Sequence, residues 1–293
     1  MVSPEVTRRQ FVLRSGLALA SAIGAGLAFE GFVREPQYPV AERIQVLLER
    51  LPEAFDGYRI AQITDIHFGP YMTQPALERS LRIAQAFQPD LIALTGDFVS
   101  HPWAKRNGKA GARFAEPCAE VFARSTGVPI IAVLGNHDHW NDADLVAGAL
   151  TERRIRVLRN QAQVIERGNQ KLWIAGVDDP LEGKADLVKT MTGIPRTEAT
   201  LLLAHEPDFA DYSARFPVDL QLSGHSHGGQ VRIPGVGPII LPAMARKYHT
   251  GLNRVGSLQV YTSRGVGVIN PPVRLNCPPE VSLITLRAGD GRS

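Results

Sequence analysis

Five segments of this 293-residue chain end on residue types that bind metal ions. Residues 58–64 run into Asp65-Ile66-His67, and 90–95 into Gly96-Asp97. Residues 129–134 run into Gly135-Asn136-His137-Asp138, and 199–204 into His205. Residues 219–222 run into Ser223-Gly224-His225-Ser226-His227. The runs read as strands, most of them buried, and the ends of the strands of an open α/β sheet are where ligands bind. A single Asp or His at a strand end is usually a cap or a surface residue. Gly135 to His139 taken alone fits a polar turn, with Asn141 or Asp142 capping a following helix. Five such ends in order, with these residue types, are not independent accidents.

The donors are carboxylate, amide and imidazole without thiolate. That set suits Mn, Fe, Zn or Co and not a cysteine-type structural zinc. There are too many donors for one ion, whereas two ions sharing a bridging carboxylate would use them all. Asp65 and His67, like His225 and His227, are spaced i, i+2, which in an extended chain puts both side chains on one face. Gly96, Gly135 and Gly224 immediately precede candidate ligands, where a tight turn or close backbone approach is needed.

The elements that must position these residues alternate. Residues 58–64, 90–95, 129–134, 199–204 and 219–222 read as strands, and 75–87, 116–124 and 143–153 as helices. Residues 155–158, 163–167 and 171–177 read as an antiparallel meander, turning at Gly168-Asn169. A short helix is expected from Lys184 to Met191, and more strands at 230–233, 258–261 and 281–286. Residues 99–112 read as a long loop, in which His101, Trp103, Lys105, Arg106 and Lys109 could grip an anion or form a solvated basic surface. The chain beyond residue 40 reads as one α/β domain built on two sheets.

Composition is ordinary for a globular protein, 44% hydrophobic and 21% charged,. The net charge of +3 comes with no dense Lys/Arg stripe, so specific nucleic-acid binding is not expected,. Cys118 and Cys277 lack any metal-site spacing. They read as two buried thiols, a bridge being the alternative in an oxidising compartment.

Residues 1–35 read as a signal or anchor and linker, apart from the domain at 40–288. Arg8-Arg9, then Phe11 and Leu13, precede a Gly/Ala-rich apolar run ending at Phe29, and this resembles a twin-arginine export signal. The run of about 13 residues is short for a membrane span of about 20. Ala20-Ser21-Ala22 has a cleavage-like pattern but lies mid-run, so both cleavage and retention as an anchor stay open. The expectations that follow are engagement of the Tat translocase and a location in the periplasm, the cell wall or the outer face of the cytoplasmic membrane.

The blocks D-x-H, GD, GNHD, H and GHSH resemble the calcineurin-like metallophosphoesterase superfamily from Tyr58 to about His227. Residues 228–234, 247–252 and 263–267 look like its bacterial exported or membrane-associated branch. The resemblance implies a two-sheet αββα sandwich with the metal site at the C-terminal ends of strands. It implies that Asp65, His67 and His227 hold one metal, that Asn136, His205 and His225 hold a second, and that Asp97 bridges them. His137 is then the catalytic imidazole, Asp138 orients His137 or its loop, and His139 is an ordinary loop residue. The implied reaction is hydrolysis of a phosphodiester or phosphomonoester by a metal-bridged hydroxide, with His137 assisting the leaving group. Export points to an envelope substrate, a lipid or polymer headgroup among the candidates. Arg264 is a candidate phosphate contact or a structural ion pair, and Tyr248 and His249 are weaker candidates. The rival readings are a metal-binding scaffold with weak or no catalysis, and a nucleotide or UDP-sugar-lipid pyrophosphatase at the cytosolic membrane face.

Overall fold

A computed structural model describes residues 7–100, 110–125 and 127–289. In chain order its strands are β1 (Val40–Leu48), β2 (Arg59–Ile63), β3 (Leu91–Thr95), β4 (Ile130–Val133), β5 (Arg156–Val157), β6 (Gln161–Arg167) and β7 (Gln170–Gly176). Then follow β8 (Ala199–Leu203), β9 (Leu220–Ser223), β10 (Arg232–Ile233), β11 (Gly237–Pro238), β12 (Gly251–Val255), β13 (Leu258–Thr262) and β14 (Glu280–Ala288). The helices are α1 (Arg8–Phe29), α2 (Gln74–Ala86), α3 (Ala115–Ala123), α4 (Asn136–Asn141), α5 (Ala143–Glu152), α6 (Leu187–Met191) and α7 (Ala210–Ser213).

Two six-stranded sheets are formed, ordered β1-β14-β2-β3-β4-β5 and β12-β13-β9-β8-β7-β6. Within them β2, β3, β4 and β5 are parallel, as are β7, β8, β9 and β13. Period-two alternation divides each strand between two cores. Ile131 and Val133 face the second sheet, packing with Leu201, Leu203 and Leu222, while Ile130 and Ala132 pack with α3 and α5 residues such as Phe122 and Leu150,. Leu202 and Ala204 on the far side of the second sheet pack with Leu187 of α6 and Ala210 of α7. The layers are therefore helix, sheet, sheet, helix, the expected αββα sandwich. Each core strand buries both faces, which is why these segments read as unbroken apolar runs.

Three expectations are corrected. The meander does not form: Arg156 and Val157 pair in parallel with Ile131 and Ala132 of the first sheet, and only β6 and β7 make the hairpin, through Gly168-Asn169. β1 and β12 are strands that the pattern did not reveal, because both are largely exposed and their polar residues mask the alternation. The N-terminal helix also extends beyond the apolar run at both ends. Helical turns continue from Arg8 to Gln37, long and apolar enough to cross a membrane. Thr7 caps that helix by accepting the Gln10 amide at 3.3 Å, and none of the α1 side chains is buried. Beyond α1 the chain docks: Gly31 O accepts Arg274 N at 2.9 Å, and the Glu35 carboxylate accepts the amides of Asn276 and Cys277 at 3.0 and 2.5 Å.

Candidate metal centre

The parallel strands end together, and this brings the predicted ligands to one place. The two sheets are tied at that end by polar contacts. The Gln62 side-chain amide donates to Thr95 Oγ1 and Ser223 O, both at 2.9 Å, and the His225 amide donates to Asp65 Oδ1 at 2.8 Å. Three overlapping groups have ligand atoms within 4.8 Å of one another: Asp65 with His67 and His227, His67 with Asp97 and His137, and Asp97 with His205 and His225.

Local backbone geometry differs from the extended spacing expected of the two i, i+2 pairs. Asp65 (φ 51), His67 (φ 47), Asp97 (φ 57), His225 (φ 65) and His227 (φ 50) are all left-handed. A non-glycine residue there costs about 1–3 kcal/mol and persists only where its surroundings demand it. The strands stop before the ligands, and tight turns, not a pleat, aim the side chains. The adjacent glycines leave the room for this. A Cβ on Gly96 would lie 2.6 Å from His205 Nδ1, one on Gly135 2.4 Å from Asp97 Oδ1, and one on Gly224 2.3 Å from Asp65 Oδ2.

The side chains are set up to bind cations. Asp97 Oδ1 accepts the His137 amide at 2.8 Å, and its Oδ2 lies 3.4 Å from His67 Nε2 and 3.2 Å from His205 Nε2. That oxygen lies between one imidazole of each proposed metal set. His205 Nδ1 lies 2.7 Å from Thr95 O and donates to it, which leaves Nε2 as the lone-pair nitrogen,. His225 does the reverse: its Nε2 donates to Ala243 O at 2.9 Å, leaving Nδ1. His67 and His227 bring their Nε2 atoms to 3.0 Å. The oxygens Asp65 Oδ2 and Asn136 Oδ1 are buried and make no hydrogen bond among the described residues. Buried oxygens with no hydrogen-bond partner fit ligation of a divalent ion,.

Electrostatics agree. Burial, then repulsion from neighbouring imidazoles, holds His67 and His227 well below the usual histidine range and His225 at about 3. These rings are neutral, as ligands must be. Burial pushes Asp65 up to about 7. Burial would also raise Asp97, but His205, His137 and His67 outweigh it and hold its carboxylate well below the usual range. His205 is pushed down by burial yet pulled well above its ordinary range, chiefly by Asp97. A cation between the two would replace that proton.

His137 sits at the N-terminus of α4, half-exposed, with its ring 4.6 Å from that of His67 and 4.6 Å from that of Trp140. Asp138 is fully buried and turned to the backbone. Its Oδ2 accepts the amides of Asp97 and Gly135, each at 3.0 Å, and its Oδ1 those of Phe98 and Val99 at 2.8 and 3.3 Å. It holds the loop carrying Asp97 against the loop carrying His137. Asp142 caps α5 by accepting the Leu145 amide at 3.1 Å.

Other residues singled out in the sequence are absent from these three groups. Arg264 is ion-paired with Glu280 at 2.9 Å and Glu42 at 3.1 Å, so its structural reading holds. The Tyr248 hydroxyl donates to Asp211 at 2.8 Å. His139 is no ordinary loop residue: it pairs with Asp178 at 2.7 Å, which also binds Arg159. Cys118 and Cys277 are buried and free. His101, Trp103, Lys105, Arg106 and Lys109 lie outside the described residues.

Two features carried no sequence signal. Arg274 is fully buried, donates to the carbonyls of Gly267, Arg264, Gly265 and Cys277, and brings Nη2 to 3.4 Å from His227 Nδ1. A cavity of about 200 Å³ opens beside His67 and His137, walled by Tyr71, Phe114, Arg113 and Ile269.

Residues 58–229 match the family described as calcineurin-like phosphoesterase. Over 289 residues the chain is 32% identical to a Bacillus subtilis protein named uncharacterized metallophosphoesterase YkuE, covering 97% of this chain and 99% of that one. It is 31% identical over 287 residues to the Escherichia coli phosphodiesterase YaeI, covering 96% and 99%. It is 30% identical over 285 residues to a Danio rerio transmembrane protein with a metallophosphoesterase domain, covering 92% of this chain and 62% of that protein.

Proposed function

The chain belongs to the calcineurin-like phosphoesterase family and is a metal-dependent phosphoester hydrolase, and on that premise we propose a two-metal hydrolase of an envelope phosphodiester or phosphomonoester. The observation that carries this is Asp97 Oδ2, placed between Nε2 of His67 and Nε2 of His205. Asp65, His67 and His227 would hold one ion, Asn136, His205 and His225 the other, and Asp97 both. Divalent ions held there would supply Lewis acidity, polarising phosphoryl oxygens and lowering the pKa of water toward neutrality.

The chain's own residues do the rest. His137 reaches the open cavity, where its imidazole stabilises charge on the leaving oxygen and can protonate it. Asp97 Oδ1 fixes the backbone of His137, and Asp138 fixes that of Asp97. Arg113, beside the cavity, offers an anion contact. The Escherichia coli relative's name favours a diester. The paired Arg8-Arg9 opening an apolar helix supports export by the Tat translocase and action in the envelope, with the helix as a membrane attachment where it is retained.

The test is hydrolysis of bis-p-nitrophenyl phosphate and p-nitrophenyl phosphate by the Mn²⁺-loaded protein beside its His137→Ala variant. Turnover by the wild type, reduced about 10²–10⁴-fold in the variant with metal content retained, is the expected outcome. A metal-loaded wild type inert on both esters points to the scaffold reading.

A further inference from the structure

A second cavity adjoins His227. Its volume is about 320 Å³, within the range of about 300–1,000 Å³ typical of organic-ligand pockets. Val231, Ile239, Ile240, Ile269 and Val273 wall it, and no Asp, Glu, Lys or Arg lines it among the described residues. Ile269 and Asn270 also wall the cavity at His67 and His137, so the two cavities share one partition beside the metal ligands.

The surface beside this cavity is unusually apolar. On and just after the β10–β11 hairpin, Val236 is 78% exposed and Ile240 76%, with Ile233 and Ile239 about half exposed. Grouped exposed aliphatics of this kind mark a surface that meets something apolar. The base of the hairpin is the strip that receives the turns following α1. Leu275 exchanges backbone hydrogen bonds with Gln230 and Arg232, both at 2.9 Å, while its neighbour Arg274 donates to Gly31 O and Asn276 and Cys277 bind Glu35. A helix long and apolar enough to cross a membrane thus leaves the domain at the root of the exposed hairpin. The cavity and the exposed surface share Ile239 and Ile240, and the chain that leads into the helix docks at the hairpin's root.

We infer that this cavity receives the hydrocarbon chain of a membrane lipid whose phosphoester lies at the metal centre. The inference rests on the phosphoesterase reading and names its substrate class. With α1 in the bilayer, the hairpin meets the bilayer surface. A lipid could then place its chain between Ile240 and Val273 without passing through water. The headgroup side of the phosphoester would occupy the cavity at His67 and His137, across the Ile269–Asn270 partition.

The experiment uses the full chain, Mn²⁺-loaded, with p-nitrophenyl alkyl phosphodiesters bearing methyl, butyl and octyl groups. The leaving group is constant, so only the chain varies. Burial predicts that kcat/KM rises with length, by up to about fourfold for each fully buried methylene. In Ile239→Ser/Ile240→Ser the octyl-to-methyl ratio should fall at least tenfold. In Leu145→Ser, an exposed apolar residue that lines no part of this cavity, the ratio should persist. Equal kcat/KM for all chain lengths overturns the inference and leaves the phosphoesterase reading intact. A length preference that survives the double substitution also overturns it, placing the chain elsewhere. Failure to cleave any ester overturns the phosphoesterase reading itself.

Discussion

The backbone N–H of His137 donates to Asp97 Oδ1 at 2.8 Å. One carboxylate therefore does two jobs: Oδ2 faces the imidazoles of both proposed metal sets, and Oδ1 holds the chain that carries the proposed catalytic imidazole. Truncating the side chain would remove the proposed bridge and loosen His137 together, whereas a substitution that keeps one oxygen separates the two.

Asp97→Asn tests this. Asparagine keeps an oxygen for the His137 amide but loses the negative charge that pairs with His205 and faces His67. We expect metal content to fall and phosphodiester turnover to be almost lost, with the fold retained by circular dichroism. A metal-replete, active variant would remove Asp97 from the bridging position.

Asp138→Asn separates positioning from ligation. The carboxylate accepts four backbone amides, and an asparagine side chain presents an N–H₂ to two of them. Activity or metal affinity should drop about 10–100-fold, as for other groups that orient a metal ligand. Metal should bind again at higher concentration, which distinguishes this from loss of a ligand.

Gly135→Ala needs no change in chemistry. Its new methyl would lie 2.4 Å from Asp97 Oδ1 and 2.8 Å from His205 Nε2. The strain, about 1–3 kcal/mol by analogy with overpacked cores, falls on two proposed ligands. Metal titration should show weakened binding with only a modest change in the melting temperature of the metal-free protein. Wild-type metal affinity would mean that the two loops are looser than drawn.

Stability against pH follows from Asp65. Its folded-state pKa, raised by burial to about 7, exceeds its unfolded value of 3.8. In the metal-free protein the folded state therefore holds an extra proton between those values, and stability falls as pH rises through about 4 to 7. A metal ion replaces that proton, so its stabilising effect grows with pH. Metal at 100 times Kd should raise Tm by roughly 5–10 °C at pH 8. At pH 5.5 displacement of the Asp65 proton costs about 2 kcal/mol and most of that gain. Thermal melts at both pH values check this, and a pH-independent gain would exclude Asp65 as a ligand.

Much of the site was legible in the sequence because its signals are local. A buried strand writes itself as an apolar run, and a residue that must follow a strand sits next to that run in the chain. Hence the blocks from Asp65 to His227 and an α/β domain on two sheets could be read from the residues, and the αββα layering followed from the family resemblance those blocks carry. Contacts far apart in sequence decided the rest. The His225 amide meets Asp65 across 160 residues, the Arg264 guanidinium finds Glu42 across 222, and Glu35 reaches Cys277 across 242. No periodicity encodes such pairings, so the sequence could not choose between the two readings of Arg264, and the burial of Arg274 beside His227 was not visible. The left-handed backbone at five proposed ligands was hidden for a related reason. Asp and His carry no intrinsic preference strong enough to announce it; the packing of two sheets imposes it. The sequence by itself determined which residues could hold metal, and the tertiary structure decided which atoms face one another.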